Sequence, residues 1–274
     1  MLRAAFFLPT MRPILTAESV TELGDAVRGA VLVAGSHGGL IACYLGATAG
    51  AHAMILNDAG VGLDDAGIAG LEWLEASGMA VATVAHTSAR IGDGADSLAR
   101  GVISHCNAGA AAAGVHPGQR ASDAAVMLTR AAAPRAPPPL IEGRWHVGAV
   151  GDKEVWALDS VGKLVAADAG RILVIGSHGA LHGGRAESAL NLHGAPIAAR
   201  AAVFNDAGGG AGTTRLPALD ARGIAAVTVS HASARIGDGR SMWETGVISA
   251  VNGRARLCGA ATGLRVAEWI DSLT

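Results

Sequence analysis

The stretch VAHTSARIGDG, residues 84–94, decides the fold, because its heptapeptide SARIGDG (Ser88–Gly94) returns at Ser233–Gly239. Each copy follows a histidine, His86 or His231, placed two residues upstream of its serine. Working outward, GSHG stands at Gly35–Gly38 and Gly176–Gly179, and NDAG at Asn57–Gly60 and Asn205–Gly208. GVIS stands at Gly101–Ser104 and Gly246–Ser249, followed by Asn107 and Asn252. Motifs that recur in one order at nearly one offset mark an internal duplication. What both copies keep is polar, glycine-rich and histidine-bearing. A core would have kept apolar pattern instead, so the repeats read as two copies of a site.

Between the motifs, each half reads as three apolar strands, each followed by a glycine-marked loop and a helix. The first-half strands are Val31–Ala34, Ala53–Leu56 and Ala80–Ala85, and the second-half strands are Ile172–Ile175, Ala202–Phe204 and Ala225–Val229. Continuous apolar runs of this length suit strands buried on both faces of a parallel sheet. Helices are expected at Gly39–Ala49 and Ala66–Ser77, and from the SARIGDG loop, with a break at Gly101, to about Ala113. In the second of these, Ile68, Leu71 and Leu74 share a face and Gly78 is the stop. Short helices are expected before each first strand, at Ala17–Val27 and Ser160–Ala167. Trp145–Val150 and Lys153–Leu158 flank Gly151-Asp152, a hairpin signal. The expected fold is α/β: a tandem duplication of a three-stranded parallel Rossmann-like βα unit, its halves related by pseudo-twofold symmetry. Residues 1–130 form the first repeat and residues 131–144 a linker stiffened by Pro134, Pro137, Pro138 and Pro139. Residues 145–274 form the second repeat with its extra N-terminal hairpin.

The 274 residues are 50% hydrophobic and 16% charged, enough for a large core. A net charge of −2 with mixed signs leaves no basic stripe for nucleic acid or an anionic membrane. Cys43, Cys106 and Cys258 are odd in number and lack a CxxC spacing, which points to reduced thiols and a cytoplasmic setting. Met1–Thr10 has neither a long apolar run nor a small-residue cleavage site, so no signal peptide is expected. The expected partners are a small-molecule substrate and further copies of the chain, as a homo-oligomer, with no nucleic acid and no membrane.

Ligands of parallel α/β sheets bind outside the carboxyl ends of the strands, where all the repeated loops fall. In GSHGG, the amides of Gly38 and Gly39, and of Gly179 in the second copy, open a helix and suit an anionic oxygen. His37 and His178 sit within that turn as candidate general bases. Asp58 and Asp206 orient that histidine, His37 or His178, or bind a hydroxyl, with an Asx-turn or helix N-cap as the competing role, and Asn57 and Asn205 stand beside them. In an extended His86-x-Ser88-x-Arg90, the period of two points a base, a hydroxyl and a guanidinium one way. His231, Ser233 and Arg235 repeat that set. Arg90 either clamps a substrate carboxylate or pairs with Asp93, and Arg235 likewise with Asp238. Ser104 and Asn107, read at i and i+3 of a helix, brace the loop. His37, Asp58, His86 and Asp93 offer a divalent metal site, although none has the spacing of a metal signature. No cofactor is expected otherwise.

The strand-then-SHG arrangement resembles the histidine loop of caspase-like cysteine peptidases. The next strand, which there ends in the nucleophilic cysteine, here ends in Asn57-Asp58, and the chain as a whole is assigned to no family. The favoured function is a hydrolase acting on a small carboxylate- or amide-bearing metabolite. His37 or His86 activates water or Ser88, Gly38 and Gly39 stabilise negative charge, and Arg90 orients the substrate. The second copy repeats this site or completes a composite one. Two other classes stand beside it: a non-catalytic binding protein for an anionic metabolite, and an assembly subunit whose repeated loops are interlocking turns.

Overall fold

The computed structural model describes residues 11–273; the N-terminal segment 1–10, and with it the signal-peptide reading, lies outside the described residues. The fold is mixed α/β, built on two mainly parallel sheets. The first sheet has five strands in consecutive order: β1 (Ile14–Ala17), β2 (Val31–His37), β3 (Ala53–Asn57), β4 (Ala80–Val84) and β5 (Ile103–Cys106). β1 to β4 are parallel and β5 is antiparallel to β4. Every residue of β2, β3 and β4 is buried, which is why these strands read as unbroken apolar runs. Leu32, Ala34, Met54 and Leu56 face one core, together with Val20, Val27, α1 (Leu40–Thr48) and α2 (Ala69–Trp73). Val31, Val33, Ala53 and Ile55 face the other, covered by α3 (Gly94–Arg100), α4 (Ala108–Ala112) and α5 (Ala121–Leu128).

The second sheet opens with the hairpin of β6 (Arg144–Val150) and β7 (Lys153–Leu158), turning on Gly151 at φ +59°. β8 (Ile172–His178) follows, then a small antiparallel pair, β9 (Asn191–Leu192) and β10 (Ala195–Pro196). β11 (Ala201–Asn205), α6 (Arg215–Ala221), β12 (Ala225–Val229), α7 (Gly239–Glu244), β13 (Ile248–Val251), α8 (Gly253–Leu257) and α9 (Val266–Asp271) complete the chain. The six-stranded order is β13-β12-β11-β8-β7-β6, with β7, β8, β11 and β12 parallel. α6 packs on one face, and α7, α8 and α9 on the other around the buried Trp269.

The architecture departs from the sequence reading in several places, and between β8 and β11 short 3-10 turns and the β9–β10 pair stand where a helix was expected. Each sheet has four parallel strands, because β1 and β7 add one beyond the three expected. β7 therefore occupies beside β8 the place that β1 occupies beside β2, and only β6 is additional. Segments 17–27 and 160–167 form short 3-10 turns where helices were expected; Ser19 and Ser160 cap them, and extended Leu23 and Leu164 end them within one turn. The GVIS segments form antiparallel edge strands, since Gly101 ends α3 and the residues after it pair with β4. Ser104 is thus on a strand, 3.1 Å from Thr83 Oγ1, and Asn107 caps α4. Finally, the crossovers linking β1 to β4 all lie on one face. That order has no topological switch point, the feature that opens a crevice in dinucleotide-binding sheets. Residues 132–143, the proline-bearing join, carry neither helix nor strand. No helix among the described residues is long and apolar enough to cross a membrane.

Candidate functional site

The repeated loops leave the carboxyl ends of the parallel strands, and those of one sheet pack against those of the other. Leu63 N donates to His231 O (2.8 Å) and Gly183 N to Gly92 O (2.8 Å) across this seam. Ala59 and Ala207 of NDAG, Ile91 and Ile236 of SARIGDG, and Ala66 and Ala180 form one buried apolar cluster there. Ala59 and Ala207 hold φ of 51° and 49°, a left-handed conformation that costs a residue with a Cβ about 1–2 kcal/mol. Their methyl groups are buried in the seam, so cross-sheet packing offsets the strain.

Two His–Asp pairs sit on this seam. Asp58 Oδ1 accepts from His86 Nδ1 (2.9 Å), His86 N (2.9 Å) and Gly60 N (3.0 Å). Asp206 Oδ1 accepts from His231 Nδ1 (2.9 Å), His231 N (2.9 Å) and Gly208 N (3.2 Å). A carboxylate only accepts, so each neutral imidazole carries its proton on Nδ1 and keeps a lone pair on Nε2. The aspartates are nearly buried, while the rings keep 33% and 29% of their side-chain surface. Each ring rests on the NDAG glycine of the other sheet. A Cβ on Gly208 would lie 2.5 Å from His86 Cδ2, and one on Gly60 would lie 2.9 Å from His231 Cδ2. The same Gly60 Cβ would lie 3.0 Å from Gly208 Cα, so both pairs surround a single glycine–glycine contact. With φ of +76° and +87°, neither position suits a side chain.

The other repeated polar groups are engaged in shaping the loops. Asn57 Nδ2 donates to Ala89 O and its Oδ1 accepts from Ala59 N; Asn205 does the same with Ala234 O and Ala207 N. Ser88 Oγ donates to Ala85 O (2.8 Å) and accepts from Val102 N (3.0 Å), and Ser233 repeats this with Ser230 O and Val247 N. The loop turns at Ser88, so the extended presentation of His86, Ser88 and Arg90 on one face does not form. Arg90 NH2 pairs with Asp93 (3.2 Å) and Asp96 (3.0 Å); Arg235 pairs with Asp238 (3.1 Å) and Asp64 (2.9 Å). Arg100 holds the Asp96 carboxyl below its usual range, reinforcing that network. Asp93 and Asp238 also cap α3 and α7. Gly38 N and Gly179 N donate to Asn57 O and Asn205 O, both at 2.8 Å. Gly39 N donates to His37 Nδ1 (3.1 Å), so the amides read as an oxyanion hole are occupied within the turn.

His37 and His178 are buried and paired with neither aspartate. Burial pulls His37 down to about 4 and His178 well below the usual histidine value, with nearby Arg215, His182 and His37 adding to the latter. Among the described residues, no three His, Cys, Asp or Glu side chains gather so as to hold a metal ion. Of the four metal candidates, Asp58 and His86 are paired with each other, Asp93 caps a helix and His37 lies in its own turn.

Sequence reasoning passed over His182 and Arg215, both buried and neighbouring His178. They occur only in the second half, and attention to repeated residues excludes whatever is not repeated. His182, four residues after His178 in GSHGALH, was the available signal. Comparisons with protein-family models, curated proteins and solved structures return no match.

Proposed function

We propose that the chain is a hydrolase that activates water with the His86–Asp58 and His231–Asp206 pairs, on a small carboxylate- or amide-bearing metabolite. The observation that carries this reading is the free Nε2 on each of two partly exposed imidazoles whose Nδ1–H is anchored to a carboxylate. That is the orientation a general base requires. Because Ser88 and Ser233 both donate and accept within their own turns, water is the nucleophile. At either pair the imidazole takes a proton from the attacking water and, as the imidazolium, gives that proton to the leaving group. The same reading holds that the sheets arose by tandem duplication and are related by a pseudo-twofold axis through the Gly60–Gly208 contact. Its support is the recurrence of the same hydrogen bonds at Asn57 and Asn205, Ser88 and Ser233, and Asn107 and Asn252. Free Cys43, Cys106 and Cys258 support a reducing, cytoplasmic setting, and self-association belongs to the same proposal.

A second reading, loops kept only as interlocking turns, is favoured by the number of repeated polar groups engaged by backbone. His86→Gln and His231→Gln separate the two on a panel of p-nitrophenyl esters and small amides. The hydrolase reading expects at least ~100-fold loss of kcat/KM with a nearly unchanged Tm. An interlock expects a large fall in Tm in each variant, with no turnover of the panel by the parent. A chelator arm reports separately on a metal: activity lost to chelation and restored by added ion would bring one into the mechanism.

A further inference from the structure

The backbone after β8 runs past Arg215, a residue that is 1% exposed and has no ion pair among the described residues. Its Nε donates to Ala180 O (2.8 Å), one terminal nitrogen to Ala189 O (2.8 Å) and the other to His182 Nε2 (3.2 Å). A guanidinium offers five N–H groups and accepts nothing, so two hydrogens remain and His182 Nε2 must be an acceptor. The neutral His182 ring therefore carries its proton on Nδ1. That atom is buried and has no hydrogen-bond partner; the half-exposed Glu22 carboxylate stops 3.5 Å away.

The same reasoning fixes two neighbouring rings. Gly39 N donates to His37 Nδ1 and Ala180 N to His178 Nδ1 (3.2 Å), which leaves the proton on Nε2 of each. The rings of His178 and His182 are 6.2 Å apart. All three histidines and Arg215 line a cavity of about 20 Å³, the size of one small polar group. His182 and Arg215 also line an adjoining cavity of about 450 Å³, with Arg185, Ser188, Asn191 and His193. That volume falls in the range of small-molecule sites. The inner wall is thus rich in N–H donors. Of the acids nearby, Glu18 is engaged by Arg185, while Glu22 and Glu187 line the larger cavity or its approach.

A buried guanidinium with no ion pair, offset only through space by the exposed Glu22, is costly, and a ligand that brings a closer charge recovers that cost. We propose that His182 and Arg215 bind the oxyanion, carboxylate or phosphate, of a small metabolite seated in the larger cavity. The Nδ1–H of His182 and the spare N–H groups of Arg215 are its donors, and Glu22 is its built-in competitor. This site is separate from the His86 and His231 pairs and stands or falls without them.

The test is calorimetric titration of the full chain with sodium phosphate and, separately, sodium malonate at constant ionic strength. Saturable binding of at least one anion is expected, and which one binds assigns the headgroup. Glu22→Gln alters an exposed side chain and removes the competing charge, so it should tighten binding about 3–10-fold. Arg215→Lys should weaken it at least ~10-fold. Arg215 also braces two carbonyls, so its replacement can cost the fold. The same titration followed by NMR on the unsubstituted protein then carries the test through the His182 ring resonances. The proposal is overturned if neither anion binds the parent or Glu22→Gln. It is equally overturned if binding occurs with His182 unperturbed and Glu22→Gln without effect.

Discussion

The crossovers after β2 and after β8 leave the same GSHG turn and then diverge. After β2 the chain enters α1, whose Cys43 packs so tightly on Gly70 that a Cβ there would lie 2.6 Å from Cys43 Cβ. After β8 there is no helix, only short 3-10 turns and the β9–β10 pair. Gly70 N donates to Gly38 O (3.0 Å), and Arg215 N makes the matching bond to Gly179 O (2.8 Å). Arg215 therefore stands where Gly70 stands, and its side chain occupies the space that a helix would fill. A helix satisfies its own carbonyls; an irregular segment needs donors from elsewhere. Arg215 supplies them to Ala180 and Ala189, and Arg222 to Leu190 and Ile197. Where the first sheet has a helix and an apolar contact, the second has two arginines and a cavity. At the His–Asp pairs, by contrast, the two sheets are alike.

The comparison breaks most readily at Arg215. Arg215→Leu strands three buried acceptors, Ala180 O, Ala189 O and His182 Nε2, and should cost about 3–5 kcal/mol in urea denaturation. Gly70→Ala, which overpacks Cys43, should cost about 1–3 kcal/mol. A smaller loss at Arg215 than at Gly70 would mean that the arginine does not replace the helix.

Acid sharpens the same contrast. Burial holds His37 neutral down to about 4 and His182 down to about 3, whereas histidines of the unfolded chain take up protons near pH 6.5. The unfolded state then binds more protons, so stability is intact above about pH 6.5. It should fall by on the order of 3 kcal/mol per histidine as the pH drops towards 4 and below. His182→Gln removes a contribution found only in the second half, so its stability curve should be flatter between pH 6.5 and 3. An unchanged slope would show that His182 is already charged in the fold.

Where the sheets are alike, paired changes should have paired effects. Gly60→Ala and Gly208→Ala each push a methyl into the opposite imidazole at positive φ, and each should cost about 1–3 kcal/mol. The smallest effect belongs to Arg90→Lys. Arg90 keeps 62% of its side-chain surface, and Arg100 also holds the buried Asp96, so the change should stay within about 0.5 kcal/mol in thermal melts. A tenfold weaker ligand affinity in that variant would return Arg90 to the substrate-clamp role.

Much of this was legible in the sequence. β2, β3, β4 and their second-half counterparts read as continuous apolar runs because both their faces are covered. The loops at their ends fell where expected. β1 was missed because its four residues, three half-buried and Thr16 exposed, carry no such run, and β5 because Gly101 looked like a break within one helix. At the site the residues were named but not their partners. Asp58 was matched with His37, the histidine nearer the strand. A turn amide occupies His37 Nδ1, and the loop after β4 carries His86 back to the aspartate. That each loop would meet the other sheet is a tertiary fact with no local signal. The repeated Ala59, Ala207, Ile91 and Ile236 of the seam stand singly among polar residues and glycines, so no apolar run marks them.

The most direct test is the tautomer of each histidine, read from long-range proton–nitrogen NMR of the unliganded protein at neutral pH. The account predicts the proton on Nδ1 of His86, His231 and His182, and on Nε2 of His37 and His178. A proton on Nε2 of His86 or His231 would remove the free lone pair on which the proposed chemistry rests, and would contradict it.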